Sequence, residues 1–479
     1  MKKFTGKPSF VLTFITLVAV IFCITACTKG NDEPVQLRVV TEVTPSTGMN
    51  AQIRYYMEQF QSEHPNVTIH LDILPTVADE RTEYIRELYK KIESGEGPDI
   101  YLLPDSDVLK NDQTYIRATP LFPDIELAMR AGIFADISRL YDFDFSLGKS
   151  ALQNTVMDAG VVGGSRYVLP LRYDIRTVYY FPDRISGSTE LDIENCTISD
   201  LMQYVIDIGN PAIASGVDNI VSRAHYTLIE SFSNLIDYNS GEVTMTAQDL
   251  KEYFSIYQKL CETIGPGKTE YGGVYLHNVE EIVDFTPIKV SSLVSAIPFS
   301  AYAKHTGSTL KMAPLRTDDG DVIATVSYFG AVGSGCKNTE TAYEFLRQFL
   351  SEEAQWKTTY LEDSVDRIPP LSGYGWPVRV KGAAPYLWNT AQLQLERHDE
   401  SLYQSGYQSI ELSDQDIPVL ETEIDIVRFH FLNNFFQHWI QLNDYNNHAA
   451  PTDVDIEALS NAFIQDLKIT YNSNLNSLP

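Results

Sequence analysis

Stretches typical of strands alternate with stretches typical of helices near the N-terminus, and this order strongly limits the possible folds. Leu37–Glu42 is an apolar run, and Val67–Leu74 alternates apolar and polar residues as a half-buried strand does. Asn50–Glu63 and Asp79–Glu93 carry apolar residues at helical spacing, and a third strand is predicted at Pro98–Leu103. A strand–helix–strand–helix–strand order predicts a mainly parallel sheet that is covered by helices.

A second informative stretch, Val161–Phe181, combines a glycine turn with two β-rich runs. Gly163-Gly164 fits a tight turn, the first run ends at Pro170, and the second contains Val178–Phe181. The polar residues Arg172-Tyr173-Asp174 lie between the two runs. Because this polar break is too short for a linker, we expect a strand that is interrupted where the chain passes from one lobe to another.

Three sequence motifs stand out at separate places along the chain. Gly164, Tyr167 and Pro170 form the pattern G-x-x-Y-x-x-P, and residues 94–101, SGEGPDIY, place a glycine-rich turn and Pro-Asp before an apolar strand. Residues 339–356, TETAYEFLRQFLSEEAQW, form an amphipathic helix pattern. Together these motifs resemble the extracellular solute-binding proteins of ABC importers, the family that includes maltose-binding protein.

The resemblance implies an α/β, two-lobe periplasmic-binding-protein-like fold of type II, with hinge crossings and a helical C-terminal part. Lobe one is expected to comprise 35–172 plus 315–352. Lobe two is expected to comprise 173–314 plus 353–479, including the C-terminal helices. The two lobes are expected to close on a ligand that lies between them.

Later segments carry predictions of their own. Ile198–Ile208 is predicted as a short helix after the crossing, and Met312–Leu315 as part of the second crossing back to lobe one. Ser291–Ala303 resembles the family's buried strand and turn, which supply ligand contacts in lobe two. Two amphipathic helices are predicted at Val419–Leu442 and Asp455–Tyr471.

The first residues are typical of export and lipid anchoring. A basic start precedes the apolar run Phe10–Ile24, whose length of about 15 residues suits a signal peptide and is short for a membrane span. Ile24-Thr25-Ala26-Cys27 matches a bacterial lipobox. Residues 1–26 are therefore predicted as a lipoprotein signal peptide and 27–34 as a tether, with two acyl chains on Cys27 holding the protein at the membrane. A single-pass anchor is the alternative.

Composition narrows the possible partners. The chain has 479 residues, 44% of them hydrophobic, and a formal net charge of −28. Such an acidic chain is not expected to bind nucleic acid or to adhere electrostatically to anionic lipid. Cys196, Cys261 and Cys336 are too widely spaced to indicate a disulfide framework or a zinc site.

No catalytic motif stands out in the sequence. There is no G-x-S-x-G elbow, H-E-x-x-H, phosphate-binding loop or G-x-G-x-x-G after a strand. His430 and His438 are eight residues apart on a predicted helix, too far to share a metal ion. We therefore predict no catalytic residue, metal or cofactor. A hydrolase that uses two carboxylates stays open, because the distance between such groups is set by the fold.

Ligands of open α/β sheets bind beyond the carboxyl ends of the strands. This rule selects the loop after strand one, the loop after strand three and the polar crossing, and the resemblance adds segments around Phe299, Tyr328 and Trp376. The predicted ligand-binding residues are Thr44, Ser46, Thr47, Asp105, Arg172, Tyr173, Asp174, Phe299, Tyr328 and Trp376. Aromatic faces and charged side chains of this kind suit a sugar in a partly dry cleft.

The resemblance implies a monomeric, lipid-anchored protein on the extracytoplasmic face of a bacterial membrane. It would capture a solute, a carbohydrate in this family, and deliver it to the permease subunits of an ABC importer that a cytoplasmic ATPase drives. A charged oligosaccharide, a peptide or another solute stays open, because the crossing carries Arg172 and Asp174 and the chain has only 4 Trp for stacking. The alternatives are a lipid-anchored hydrolase of polysaccharide and a surface sensor with a binding-protein fold.

Overall fold

The computed structural model describes residues 33–42, 49–104, 108–111, 114–117, 120–185, 191–209, 228, 230–264, 288–291, 297–356, 359–360, 367–368, 376–380, 387–389, 412–416, 418–429 and 455–479. The helices are α1 (Met49–Glu63), α2 (Ala78–Glu93), α3 (Ile125–Arg130), α4 (Ser138–Phe143), α5 (Asn154–Asp158), α6 (Ile198–Ile208), α7 (Ala247–Ile264), α8 (Ile297–Thr306), α9 (Thr339–Arg347), α10 (Glu352–Trp356) and α11 (Ile456–Ser477).

The strands are β1 (Val35–Glu42), β2 (Val67–Leu74), β3 (Ile100–Pro104), β4 (Val108–Asn111), β5 (Thr114–Arg117), β6 (Val161–Val162), β7 (Ser165–Arg166), β8 (Val168–Ile175), β9 (Thr177–Tyr180), β10 (Ile236–Asp237), β11 (Glu242–Val243), β12 (Ile288–Ser291), β13 (Lys311–Pro314), β14 (Ile323–Val332), β15 (Thr359–Tyr360), β16 (Arg367–Ile368), β17 (Trp376–Pro377), β18 (Leu387–Asn389), β19 (Val419–Glu421) and β20 (Ile426–Phe429).

A seven-stranded mixed sheet forms the centre of the fold. Its order is β17-β8-β14-β3-β1-β2, and β20 pairs with the first half of β14. Strand β1 runs parallel to β2 and β3, which confirms the parallel unit predicted for the first third of the chain. Strand β14 runs antiparallel to both β3 and β8. The predicted α/β fold class is therefore confirmed, but the central sheet is mixed rather than mainly parallel.

Apolar side chains cover both faces of this sheet. Leu37 and Val39 of β1 lie in one core with Ile53 of α1, whereas Val40 lies in another with Leu88 of α2. Neighbouring side chains of a strand point to opposite faces, so a strand that is apolar throughout must be buried on both sides. In β1 this applies to the adjacent pair Val39 and Val40, which lie in the two different cores.

A second, smaller sheet lies at the other end of the crossing. Strand β9 is its centre and pairs antiparallel with both β12 and β13. Its side chains Val178 and Tyr180 lie in a core with residues of α6, α7 and α11, including Leu201, Leu250 and Phe463. The second sheet thus has its own hydrophobic core, as a second lobe requires. The lobe boundaries given above remain predictions.

The crossing between the sheets lies at Arg176, four residues later than the start of the predicted break. Strand β8 continues through Arg172-Tyr173-Asp174 to Ile175, and β9 begins at Thr177. The predicted interruption at 172–174 is therefore wrong. Asp174 pairs in register with Thr325 of β14, so the backbone keeps its ladder while Arg172 and Asp174 point to one face. The Gly163-Gly164 turn is confirmed, with φ of 61° and 86°.

Two further predictions need correction. Val419–Leu442 is not one helix, because β19 and β20 occupy its described part, and β20 runs parallel to β14. Ser291–Ala303 begins as the end of β12, but its second half belongs to helix α8 rather than to a turn. The helix predicted from Asp455 is confirmed, since Asp455 caps α11 by accepting from two backbone N–H groups, and α11 extends to Ser477.

Asp124 links α3 to the second core. Its carboxylate caps α3 by accepting from the Leu127 N–H at 3.0 Å, and it also accepts from the Tyr238 hydroxyl at 2.8 Å. The side chain is only 2% exposed, and burial raises its pKa to about 6. The folded protein therefore binds a proton at this carboxyl more strongly than the unfolded chain does.

We expect Asp124→Asn to change the pH dependence of stability. A carboxyl whose folded pKa exceeds its unfolded pKa costs stability as pH rises from about 4 to about 6. Asn can keep the cap but does not titrate, so the variant should lose this slope, and its stability relative to the wild type should rise by about 1–3 kcal/mol between pH 4.5 and pH 7. Urea unfolding at pH 4.5 and pH 7 measures the free energy of unfolding of both proteins. An equal change in this free energy between the two pH values for variant and wild type would contradict the role of Asp124.

Candidate functional site

The candidate site lies at the carboxyl ends of β1, β3 and β8, where β14 carries a β-bulge. The pairing of β14 with β8 shifts register between Val326 and Tyr328, so Ser327 is the extra residue. A bulge bends the strand and turns a side chain in a new direction, and such bulges are common beside binding sites. Here it brings Ser327 towards Arg172 and Asp174 of β8.

Arg172 is held between a hydroxyl group and an aromatic ring. Its Nε donates to Ser327 Oγ at 3.3 Å, and its guanidinium carbon lies 5.7 Å from the centre of the Tyr328 ring. The Tyr328 hydroxyl donates to the Leu102 carbonyl oxygen at 3.0 Å and lies 3.3 Å from Thr41 Oγ1. This network fixes the guanidinium beside the ends of β1 and β3.

Asp174 is the acidic group of the site. Burial raises its pKa to about 6, while Arg172 and a hydrogen bond with Ser327 act in the opposite direction. Its Oδ1 is buried and has no hydrogen-bond partner among the described residues. A buried carboxylate oxygen without a donor is costly, so this atom is suited to accept a hydrogen bond from a ligand.

A second group of charges surrounds the crossing itself. Arg176 donates from Nε and Nη2 to Glu230 Oε2, at 2.6 and 2.5 Å. Arg428 of β20 donates from Nη1 to the Phe232 carbonyl oxygen at 3.0 Å. Burial lowers the pKa of Arg428 to about 10, although Glu230 acts against this shift. These contacts tie residues 230–232 to the crossing and to the large sheet.

The structure brings together three predicted residues, Arg172, Asp174 and Tyr328. Two others belong to the core: Tyr173 has 0% exposure, and Trp376, which pairs with it across β8 and β17, has 1%. Phe299 lies on α8 and stacks on Tyr179 of β9, with ring centres 5.8 Å apart. Predicted positions outside the described residues are Thr44, Ser46, Thr47, Asp105 and the lipid-anchor position Cys27.

Sequence reasoning missed four members of the site. Ser327 had a local signal, since it is a polar residue inside the apolar run of β14. There was no local signal in the sequence for the other three, Arg176, Glu230 and Arg428. Glu230 and Arg428 lie 54 and 252 positions beyond Arg176 along the chain. Such groups meet only through the pairing of β20 with β14 and the path of the crossing.

A surface cavity of about 500 Å³ lies elsewhere and shares no residue with this site. It is formed mainly by α1, α9 and the segment around Ser146. Its arginines, Arg347 and Arg379, bind groups of the protein itself: Arg347 binds Asp144, and Arg379 binds the Leu147 and Leu350 carbonyl oxygens. Because its charges are engaged in this way, the cavity is a weaker candidate than the crossing.

Two features of the described part of the chain bear on function. None of its helices is both long and apolar enough to cross a membrane. Within the same residues, no three His, Cys, Asp or Glu side chains are grouped so that they could hold a metal ion.

Comparisons with known proteins agree with the fold. No family model and no curated protein sequence matches the chain. A periplasmic oligogalacturonide-binding protein from Yersinia enterocolitica matches with a TM-score of 0.50 and 13% identity, over 92% of this chain and 100% of its own. A de novo designed cysteine esterase matches with a TM-score of 0.51 and 12% identity, over 92% and 99%.

A further similar structure is an extracellular solute-binding protein of family 1 from Alicyclobacillus acidocaldarius, with a TM-score of 0.49 and 12% identity over 92% of this chain and 99% of its own. At such low identities the likeness to solved structures shows the fold alone. The likeness to the oligogalacturonide-binding protein, with its TM-score of 0.50, confirms the predicted resemblance as one of fold over nearly the whole chain.

Proposed function

We propose that this chain, which has the fold of extracellular solute-binding proteins, captures a saccharide between its two sheets and delivers it to an ABC permease. It does so without chemical turnover and without a cofactor. A lipid on Cys27 holds it on the extracytoplasmic face of the membrane, and the protein acts as a monomer. Support comes from the fold, from the polar cluster at the crossing and from the lipobox at Cys27.

The observation that best supports this proposal is the buried Oδ1 of Asp174, which accepts no hydrogen bond from the described residues and lies on the same strand as Arg172, close to Tyr328. A sugar hydroxyl both donates and accepts hydrogen bonds. It can donate to the Asp174 carboxylate while a neighbouring hydroxyl accepts from the Arg172 guanidinium. The position also fits, because ligands of open α/β sheets lie beyond the carboxyl ends of the strands.

Short connections at the crossing suit closure of two lobes. The outward connection between β8 and β9 is the single residue Arg176, and the return from β13 to β14 spans 315–322. The two connections touch, since the Leu315 N–H donates to the Arg176 carbonyl oxygen at 2.8 Å. A solute that contacts groups on both sides of this hinge binds the closed form better and so shifts the population towards it.

A ligand panel tests the proposal. The full-length protein in detergent is melted with mono- and oligosaccharides, peptides and polyamines, and each mixture is analysed for products. A saccharide at about 100 times its Kd should add roughly 2.7 kcal/mol and raise Tm by a few degrees, with the saccharide recovered intact. A cooperative melt with no shift from any saccharide would contradict the proposal, and consumption of the saccharide would favour the hydrolase instead.

Anchoring has its own test. In bacteria that express the chain, Cys27→Ser should move the protein from the membrane fraction to the soluble extracytoplasmic fraction, because one thiol carries both acyl chains. Cys196→Ser serves as the control, since Cys196 is buried and should not affect partitioning. Unchanged membrane association of Cys27→Ser would contradict lipid anchoring and favour a membrane-spanning N-terminus.

A further inference from the structure

We infer that Phe143 and Phe145 form an apolar pair that inserts into the surface of the bilayer to which the lipid on Cys27 holds the protein. The partner is the lipid itself, at the boundary between headgroups and acyl chains, where exposed aromatic rings of membrane-bound proteins are buried. The inference rests on the lipid anchoring in the proposed function and is independent of the saccharide site.

Two neighbouring aromatic rings are exposed to solvent. Phe143 is 68% exposed and Phe145 is 84% exposed, and the Phe145 N–H donates to the Phe143 carbonyl oxygen at 3.0 Å. The other large apolar side chains that the described residues expose are aliphatic and less exposed: Val77, Ile469 and Leu475. Contiguous exposed apolar groups mark a contact with a protein or a membrane, whereas single ones need no explanation.

Polar contacts hold the loop that carries the two rings. Between the rings, Asp144 accepts from the Ser146 and Leu147 N–H groups, both at 3.1 Å. Arg347 of α9 donates to the same carboxylate at 3.1 Å, and only 7% of the Asp144 side chain is exposed. Asp144 is thus fixed inward while its two neighbours along the chain face solvent. A loop that is already ordered loses less conformational freedom when its side chains bind a partner.

This loop lies near the start of β1. Ser146 lines the same surface cavity as His64, at the end of α1. Two residues after His64, the Asn66 carbonyl oxygen accepts from the Val35 N–H at 2.8 Å, and Val35 is the first residue of β1. The exposed rings and the start of β1 therefore belong to neighbouring parts of one surface.

The tether keeps this surface close to the membrane. Cys27 lies 8 residues before Val35, and eight fully extended residues span at most about 29 Å. An acylated Cys27 lies at the bilayer, so the start of β1 stays within that reach of the lipid. The net charge of −28 opposes electrostatic adhesion to anionic lipid, whereas insertion of apolar rings does not depend on charge. A bilayer is favoured over a protein partner because the tether holds it beside the rings at all times.

Quenching by brominated lipid tests the inference. Full-length lipidated protein is reconstituted into phosphatidylcholine vesicles with or without bromine on the upper acyl chain. Phe145→Trp should lose about half of the fluorescence that the new Trp adds to the wild-type signal, since an indole ring sits well at the interface. The matched control is Val77→Trp, because Val77 is 55% exposed but follows the opposite end of β2. Its added fluorescence should not change, and both variants should melt at the wild-type temperature.

The outcomes separate the inference from the proposed function. Mass spectrometry first establishes whether Cys27 carries acyl chains. If it does and bromine leaves Phe145→Trp unquenched, the inference is overturned and lipid anchoring stands. Equal quenching of Phe145→Trp and Val77→Trp also overturns it, because the protein then has no preferred face towards the lipid. A Cys27 without acyl chains contradicts the anchoring and the inference together, and leaves saccharide capture to its own test.

Discussion

Replacing Arg81 with methionine is expected to lower the free energy of unfolding by about 3–5 kcal/mol at pH 7. Arg81 of α2 and Glu42 at the end of β1 form an ion pair of 2.7 Å, with 2% and 3% of their side chains exposed. Burial already raises the pKa of Glu42 despite the partner. Without Arg81 the carboxylate would be buried without its cation, so the variant must protonate it or open the end of β1.

Urea unfolding at pH 7 and pH 4.5 measures this effect. The loss should be smaller at pH 4.5, because protonation then removes the uncompensated charge of Glu42. The double variant Glu42→Gln/Arg81→Met should recover much of the loss. Arg86→Met, which breaks an exposed pair with Glu83, is the control and should leave the free energy of unfolding nearly unchanged. A loss below about 1 kcal/mol for Arg81→Met would show that the pair does not support the end of β1.

The second large effect concerns binding. Asp174→Asn should weaken the affinity for the saccharide that gives the largest melting shift by about 10- to 100-fold, because a hydrogen bond to a charged group is worth about 1.5–3 kcal/mol. Asn nearly keeps the shape of Asp, and it removes a carboxyl whose pKa burial raises to about 6. The melting temperature without ligand should therefore not fall.

Calorimetric titration of both proteins gives the affinity ratio. Asp207→Asn is the matched control, because Asp207 lies on the exposed side of α6 and bonds Gln203 within that helix. Its affinity should equal that of the wild type. An unchanged affinity in Asp174→Asn would remove Asp174 from the site and leave its orphan oxygen without an explanation.

Elements with a strong local pattern were predicted well. Strand Val67–Leu74 and helix Ile198–Ile208 have the predicted bounds in the structure. The helix ends are fixed by nearby chemistry: Thr197 and Asp200 form a capping box, and Gly209 ends the helix in the left-handed conformation. In such segments the residues that decide the structure lie within a few positions of one another.

Predictions failed where a distant partner decides the structure. The apolar residues after Val419 fit helical spacing, yet Ile426–Phe429 forms a strand because β14 offers it a free edge. Polar residues in β8 indicated a break, but β14 continues the ladder through Asp174. Short apolar runs do not distinguish strand from helix by periodicity alone.

The same limit applies to the site. Arg172 and Asp174 could be predicted because they are polar residues within a β-rich stretch at the crossing. Glu230 and Arg428 could not, since their own neighbourhoods carry no sign of function. Tyr173, between the two predicted polar residues, faces the core because side chains alternate along a strand.

Hydrogen exchange with and without bound saccharide tests most directly whether the solute lies at the crossing. Binding is predicted to slow exchange in peptides that cover 168–181 and 321–332, and to leave those covering 49–64 and 339–356 unchanged. The first two peptides contain the crossing and the bulge, and the last two contain most of the residues that line the surface cavity. Protection confined to the second pair would place the ligand in that cavity and contradict binding at the crossing.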